Sequence, residues 1–239
     1  MQKRIRKNMT KEYRTEFLER RERTLTAVSY RFKRPEGLDF TAGQYMLVDL
    51  GNELIHPLSL SNCPDDAEFV EFTKRMTGSP YCDRLKSLKK GETISIKGPF
   101  GQFCFADSKG PLVLIAGGIG ITPIRSILTS LEKKKGKSGT IILIYGNLNT
   151  EDIAFRDELE NLKLPDYHLV HVLSDTTGME NAYQGFINAD IISKEVPKSS
   201  NAHYMISGPP VMVEAIKKAL ASIDVAEDQI RTDIFLGYD

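Results

Sequence analysis

The stretch from Pro111 to Leu128, PLVLIAGGIGITPIRSIL, constrains the fold more than any other part of the chain. Pro111 to Ala116 is an unbroken apolar run, the pattern of a parallel strand covered on both faces. Gly117, Gly118 and Gly120 follow; lacking a Cβ, they allow a sharp reversal and a close approach of backbone to a ligand. A helix then begins at once, with Thr122 placed to cap it and Pro123 suited to its first turn. Unpaired N–H groups and the positive end of the helix dipole would face whatever lies above the turn, which is the layout of a phosphate seat. The turn is not a full G-x-G-x-x-G fingerprint, because Pro123 stands where the third glycine would be, and no Lys-Ser/Thr follows as in a P-loop. On these residues alone, a tight strand-to-helix connection in an ordinary α/β sheet is the other reading.

On the N-terminal side of this stretch the texture is short and alternating, as in an antiparallel sheet or small barrel. Strands are predicted at Tyr13 to Glu22, Thr26 to Phe32, Tyr45 to Leu50, Phe69 to Lys74 and Glu92 to Lys97, with one short helix from Pro80 to Leu88. Its N-terminal turn, Thr77-Gly78-Ser79-Pro80, is rich in capping groups, and Leu85 and Leu88 are spaced to face inward. After Lys109-Gly110 strands and helices alternate: strands at Leu112 to Ala116, Thr140 to Tyr145, His168 to Leu173 and Ala202 to Ser207, helices at Ile124 to Lys134, Ile153 to Leu162 and Pro210 to Ser222. The pattern predicts a boundary near residue 108, with an antiparallel β-barrel domain over 1–108 and a Rossmann-like, parallel α/β domain over 109–239. Permissive turns also follow the second and last of these strands, at Gly146-Asn147 and Ser207-Gly208-Pro209-Pro210. Three such turns on one sheet edge point to a ligand crevice.

Charge narrows the partners. Lys+Arg and Asp+Glu both number 32, so no global field recruits nucleic acid or an anionic membrane. The basic N-terminal residues are either a solvated face or a docking surface for an acidic protein. Cys63, Cys82 and Cys104 lie far apart with no C-x-x-C pair, which indicates neither a disulfide framework nor a metal or iron–sulfur site. With no long apolar run and no signal-peptide pattern, a soluble cytoplasmic protein is expected.

Taken in order, His56-Pro57-Leu58-Ser59, Gly98-Pro99-Phe100-Gly101-Gln102-Phe103, the glycine turn with Thr122-Pro123, and Ser207-Gly208-Pro209-Pro210-Val211-Met212 resemble the motifs of the ferredoxin–NADP reductase superfamily. The resemblance runs from about Tyr13 to Tyr238 and is greatest to stand-alone flavoproteins and oxygenase reductase modules. It implies FAD on the barrel and NADH or NADPH on the α/β domain. The family's Arg-x-Tyr-Ser segment along the flavin corresponds to His56-Pro57-Leu58-Ser59, with Ser59 kept to approach N5. Leu58 would offer an apolar cover in place of a stacked ring. His56 is either a weaker, pH-dependent phosphate partner or a satisfied histidine at a strand end. Diphosphate binding would then rest more on Gly78, Ser79, Tyr81 and Cys82. Phe72, Thr73 and Lys74 match the strand beside the ribityl and adenine portions, or are simply an alternating strand pair.

For the nicotinamide nucleotide the resemblance assigns Gly117, Gly118, Gly120, Thr122 and Pro123 to the pyrophosphate and nicotinamide, with Gly146 and with Ser207, Gly208 and Pro209 beside them. Asp233 and Phe235 match the family's C-terminal Thr-Glu-x-Phe, with the acid near the flavin. Tyr238 either covers the flavin or belongs to a frayed tail. Ser59, Thr122, Ser207 and Asp233 are the candidate catalytic residues, in positioning roles, because hydride transfer needs contact of roughly 3 to 3.5 Å rather than protein acid–base chemistry. Where NADPH-specific relatives carry Ser-Arg, this chain has Ser174-Asp175, whose carboxylate would repel a 2′-phosphate; NADH is the expected donor. The implied function is an FAD-dependent NAD(P)H oxidoreductase serving a ferredoxin-like carrier or an oxygenase component. The alternatives are a reductase of loosely bound flavin and a non-catalytic electron-transfer or regulatory subunit.

Overall fold

The structure, a computed structural model, describes residues 11–106, 110–135, 139–197 and 201–235. Six strands build the first sheet: β1 (Lys11–Glu22), β2 (Ala27–Lys33), β3 (Tyr45–Asp49), β4 (Ile55–Ser59), β5 (Phe69–Arg75) and β6 (Thr93–Phe100). They are antiparallel in the order β4-β3-β6-β1-β2-β5, and a bridge between Leu60 and Phe72 draws the two edges together into a nearly closed barrel. Alternating side chains from these strands, among them Phe17, Phe32, Met46, Val48, Phe72 and Ile96, fill its interior. The helix α1 (Pro80–Ser87) adds Leu85 to that core, and its N-terminus is capped by Ser79, whose Oγ accepts from Cys82 N at 3.3 Å. Sequence reading missed β4 as a strand because Pro57 interrupts it; the strand lies at the sheet edge, where a missing N–H costs no ladder bond.

The second sheet is wholly parallel. Its strands β7 (Leu112–Gly117), β8 (Ile141–Asn147), β9 (Tyr167–Leu173), β10 (Tyr183–Gln184), β11 (His203–Gly208) and β12 (Ile230–Ile234) run in the order β10-β9-β8-β7-β11-β12. Every residue of β7 is buried, as its unbroken apolar run requires. The helices α2 (Ile121–Lys134), α3 (Arg156–Glu160), α4 (Ala189–Glu195) and α5 (Pro210–Ala221) complete the unit. One face packs α4 and α5 over Val113, Ile115 and Ile206. The other packs α2 over Leu114 and Leu143, in a cluster that also takes in Ala27, Ala42 and Phe103 from the N-terminal half. The two halves thus share a core.

A buried ionic cluster reinforces this junction. Glu71, fully buried on β5, receives Arg31 Nε at 2.8 Å, Arg23 Nη2 at 3.1 Å and, from α2, Arg125 Nη1 at 2.8 Å. Arg125 also forms a fork with Glu158 of α3, at 2.8 and 2.9 Å, and donates to the Ser61 carbonyl at 2.6 Å. The Phe155 ring lies between the guanidiniums of Arg23 and Arg125, 4.6 and 4.4 Å from its centroid. Next to this pair, Ser126 Oγ donates to Asn62 O at 2.7 Å across the same seam.

Two expectations about these elements need correction. Thr122 does not cap its helix: a 3-10 turn over Gly118–Gly120 leads directly into α2 at Ile121, and Thr122 Oγ1 donates back to Ile119 O at 3.1 Å. The helix expected over Ile153 to Leu162 is cut to Arg156–Glu160, because Phe155 takes φ +62° to reach its place between the arginines. Strands β10 and β12 and helix α4 were not foreseen; β10 is two residues long, too short to show a periodicity. The expected boundary near residue 108 and Tyr238 lie outside the described residues.

Candidate active site

Three turns meet at the carboxyl edge of the parallel sheet. Gly118 has φ +50°, and the Tyr145 hydroxyl from β8 donates to its carbonyl at 3.1 Å, which fixes the turn from below. A Cβ on Gly120 would lie 2.2 Å from Ser207 O and one on Gly117 2.1 Å from Met212 Sδ, so no larger residue would let the turn seat against the end of β11. Met212 is therefore packing, as its side chain's contact with this turn shows. Ser207 is fully buried, and its Oγ has no hydrogen-bond partner among the described residues. Gly208, beside it, is buried, while Pro209 is exposed.

Asp233 stands opposite Ser207 in the register of β11 and β12. The Ser59 side chain, at the end of β4 on the barrel, lies beside the Asp233 carboxyl, so the two sheets approach each other at this pair. Burial pushes the Asp233 pKa up to about 6, against a smaller lowering by the neighbouring Ser59 hydroxyl. Of the four candidate catalytic residues, Ser59, Ser207 and Asp233 are thus brought together, Ser207 by its register pair with Asp233 and Ser59 by its place beside the carboxyl. Thr122 sits buried below them, its hydroxyl committed to Ile119.

The other seat lies on the barrel. His56 and Pro57 are exposed, whereas Leu58 is packed into the barrel interior at 6% exposure instead of lying open as a cover. The His56 ring lies 4.2 Å from that of Tyr81, and Lys74 Nζ is 5.9 Å from the same ring. Burial and then the Lys74 charge hold the His56 pKa below its usual value. Gly78 is exposed and Ser79 half-buried at the N-terminus of α1. Phe72 and Cys82 belong to the interior, and Thr73 Oγ1 is engaged by Ser29 at 2.7 Å and Ser61 at 2.9 Å. The imidazole, the ammonium and the capped helix start together suit an anionic ligand, while Leu58, Phe72, Thr73 and Cys82 serve the scaffold.

Along the rest of the edge, Gly146 is half-buried, and Ser174 and Asp175 are exposed. Asp175 Oδ1 accepts from Thr177 N at 3.0 Å and from Thr177 Oγ1 at 2.7 Å; these bonds hold its pKa below the ordinary carboxylate value. Arg156 is not free to neutralise this region, since its Nε pairs with Glu160 at 2.8 Å. Phe235 is half-buried against the α2-side core. Two residues of this edge escaped sequence reading. Phe186, 80% exposed just past β10, follows a strand too short to be seen. Arg75, at the end of β5, comes within 2.8 Å of where a Gly118 Cβ would be, a proximity that only folding creates.

Residues 114–218 match a family model described as an oxidoreductase NAD-binding domain. Over 175 residues the chain is 28% identical to NADH-cytochrome b5 reductase 2 of Mycosarcoma maydis, covering 70% of this chain and 50% of that protein. Over 208 residues it is 30% identical to NADH-cytochrome b5 reductase 1 of Lodderomyces elongisporus, covering 81% of this chain and 69% of that protein. The chain spans about half the length of the first curated relatives it matches. A cytochrome P450 reductase from Amycolatopsis has the same fold, with a TM-score of 0.83 at 26% identity over 95% of this chain and 70% of that one.

Proposed function

We propose that this chain, which belongs to the ferredoxin–NADP reductase superfamily, is an FAD-dependent NADH oxidoreductase that passes electrons to a separate protein acceptor. The observation that carries the reading is the closeness of Ser59 to Asp233, where the barrel's flavin-side strand comes beside the last strand of the nucleotide-binding sheet. The residues present fit both groups: His56, Lys74 and the capped start of α1 for the flavin diphosphate, and the glycine turn with the unpartnered Ser207 hydroxyl for the nicotinamide nucleotide. FAD supplies a centre that takes two electrons and returns them singly or together. Ser59 would present its hydroxyl to the reacting ring edge, and Asp233 beside it, with a pKa of about 6, would serve near neutrality as acceptor for the proton shed when electrons leave. Gly117, Gly118 and Gly120 keep the turn low enough for a nucleotide to lie across it, and Phe186 offers an exposed ring on which an adenine can stack.

NADH is favoured over NADPH by the ionised Asp175 and by the pairing of Arg156 with Glu160. The printed names of the relatives, cytochrome b5 reductases and a cytochrome P450 reductase, support a protein acceptor such as a cytochrome, a ferredoxin or an oxygenase component. Three free cysteines agree with a reducing, cytoplasmic setting. A second reading, reduction of loosely held flavin as substrate, is favoured by two observations: Leu58 is buried away from the seat, and histidine stands where the family has arginine.

Anaerobic titration of the purified protein separates these. A yellow protein bleached by NADH at lower concentration than by NADPH supports the proposal. A colourless protein that oxidises NADH only with added flavin supports the second reading, and failure to bind flavin or oxidise NADH at all rules out both.

A further inference from the structure

The carboxyl edge of the parallel sheet is a poor place for an anion as far as its own side chains go. Its loops and helix starts carry Glu151, Asp152, Asp175, Glu180 and Asp190. Against these, the described residues of the same loops and helix starts offer one exposed cation, Arg156, already paired with Glu160, while Arg125 is buried and committed to Glu71 and Glu158. A nicotinamide nucleotide brings a doubly charged diphosphate to this edge, and carboxylates around it would lower its local concentration.

We propose that Arg75 of the barrel is the cation that holds the nicotinamide nucleotide's diphosphate on the glycine turn of the other half of the molecule. The inference rests on the functional reading above. Arg75 closes β5, and its Nη2 lies 2.8 Å from the place a Cβ on Gly118 would occupy. It forms no hydrogen bond or ion pair through its side chain with another described residue, unlike Arg23, Arg31 and Arg125 around Glu71. Strand alternation sends neighbouring side chains to opposite faces. Lys74 accordingly lies over Tyr81 beside His56, at the flavin seat, while Arg75 turns to the glycine turn. Two consecutive basic residues thus serve two different nucleotides. A guanidinium suits the task because its planar fork can meet two phosphate oxygens at once. The nicotinamide seat is complete only when the barrel is docked, so flavin and nicotinamide nucleotide are held by one strand.

The test uses the full chain loaded with FAD, comparing wild type with Arg75→Ala, Arg75→Lys and the near-isosteric Arg75→Gln. The probes are NADH turnover and competitive inhibition by ADP-ribose and by AMP, which lacks the diphosphate. The expected result is a loss of at least tenfold in affinity for ADP-ribose and a matching rise in KM for NADH that exceeds any fall in kcat. Lysine should recover part of the loss, and AMP affinity and flavin content should stay unchanged. Unaltered ADP-ribose affinity, an equal loss for AMP, or loss of flavin as the main effect would each overturn the assignment. If Arg75→Ala does not fold, Arg75→Gln decides by the same measurements. Wild type that neither takes up FAD nor oxidises NADH would instead overturn the functional reading itself.

Discussion

Asp233 is the titratable group on which the site's pH behaviour turns. Its carboxyl is half-buried beside Ser59, and burial pushes its pKa up to about 6. Above that value it is ionised and can accept a proton through Ser59; below it this acceptor is lost. Electron release to the acceptor, the half of turnover that sheds a proton, should therefore rise with pH through an inflection near 6, and Asp233→Asn should flatten that limb, as read from kcat between pH 5 and 8 under excess NADH. Phe186 tests the other end of the nucleotide. A ring 80% exposed is costly to leave bare, and stacking of a base on an aromatic is worth about 1–3 kcal/mol, so Phe186→Ala should raise KM for NADH by about 5- to 150-fold with kcat little changed. Neither residue's role was equally visible beforehand. Asp233 was legible through its neighbours Thr232 and Phe235, whereas nothing in Tyr183-Gln184-Gly185-Phe186 shows that this short run pairs with β9 and leaves the phenylalanine outside.

At the level of elements, the junction between β5, α2 and α3 is governed by Glu71. Burial opposes its ionisation, but Arg125, Arg23 and Arg31 together outweigh this and hold its pKa below the usual value. Removing the carboxylate leaves three guanidiniums facing one another in a buried seam. Glu71→Ala should therefore cost about 3–5 kcal/mol, which for a chain of this size corresponds to a fall of roughly 6–20 °C in Tm by calorimetry. Arg125 sits one turn into the helix that begins at the glycine turn, so the same seam sets where that turn stands relative to the barrel. Sequence reading located β5 and α2 correctly to within a few residues, since each has its own periodicity. It assigned Glu71 and Arg125 to neither the core nor the site, because their pairing spans 54 positions and no local pattern encodes it.

For the whole molecule, acid sensitivity follows from two buried groups acting in the same sense. His171 is 9% exposed and neither ring nitrogen has a hydrogen-bond partner among the described residues; burial chiefly, against the pull of Glu160, lowers its pKa from 6.5. The unfolded chain protonates it first, so its stabilising share is complete above pH 6.5 and is lost as pH falls below. Glu71, lowered from 4.5, contributes above that value and is lost further down as pH falls through its folded pKa. Asp233, raised, works oppositely and favours the folded form below about pH 6, offsetting part of the loss. The change in urea midpoint on going from pH 7 to pH 5 should be less unfavourable in His171→Phe than in wild type, and more unfavourable in Asp233→Asn.

The amino-acid sequence alone determined that an alternating, turn-rich half precedes an α/β half and that a glycine turn ends the first buried strand of the latter. These are local properties, set by periodicity, by residues without a Cβ and by short spacings along the chain. Which side chains turn inward was decided only by the folded molecule. Leu58 and Phe72 went into the barrel because its closure through Leu60 and Phe72 needed their volume. Arg75 came to the glycine turn, and Arg125 to Glu71, because two sheets docked through a shared core and brought distant charges into a seam with little water to screen them.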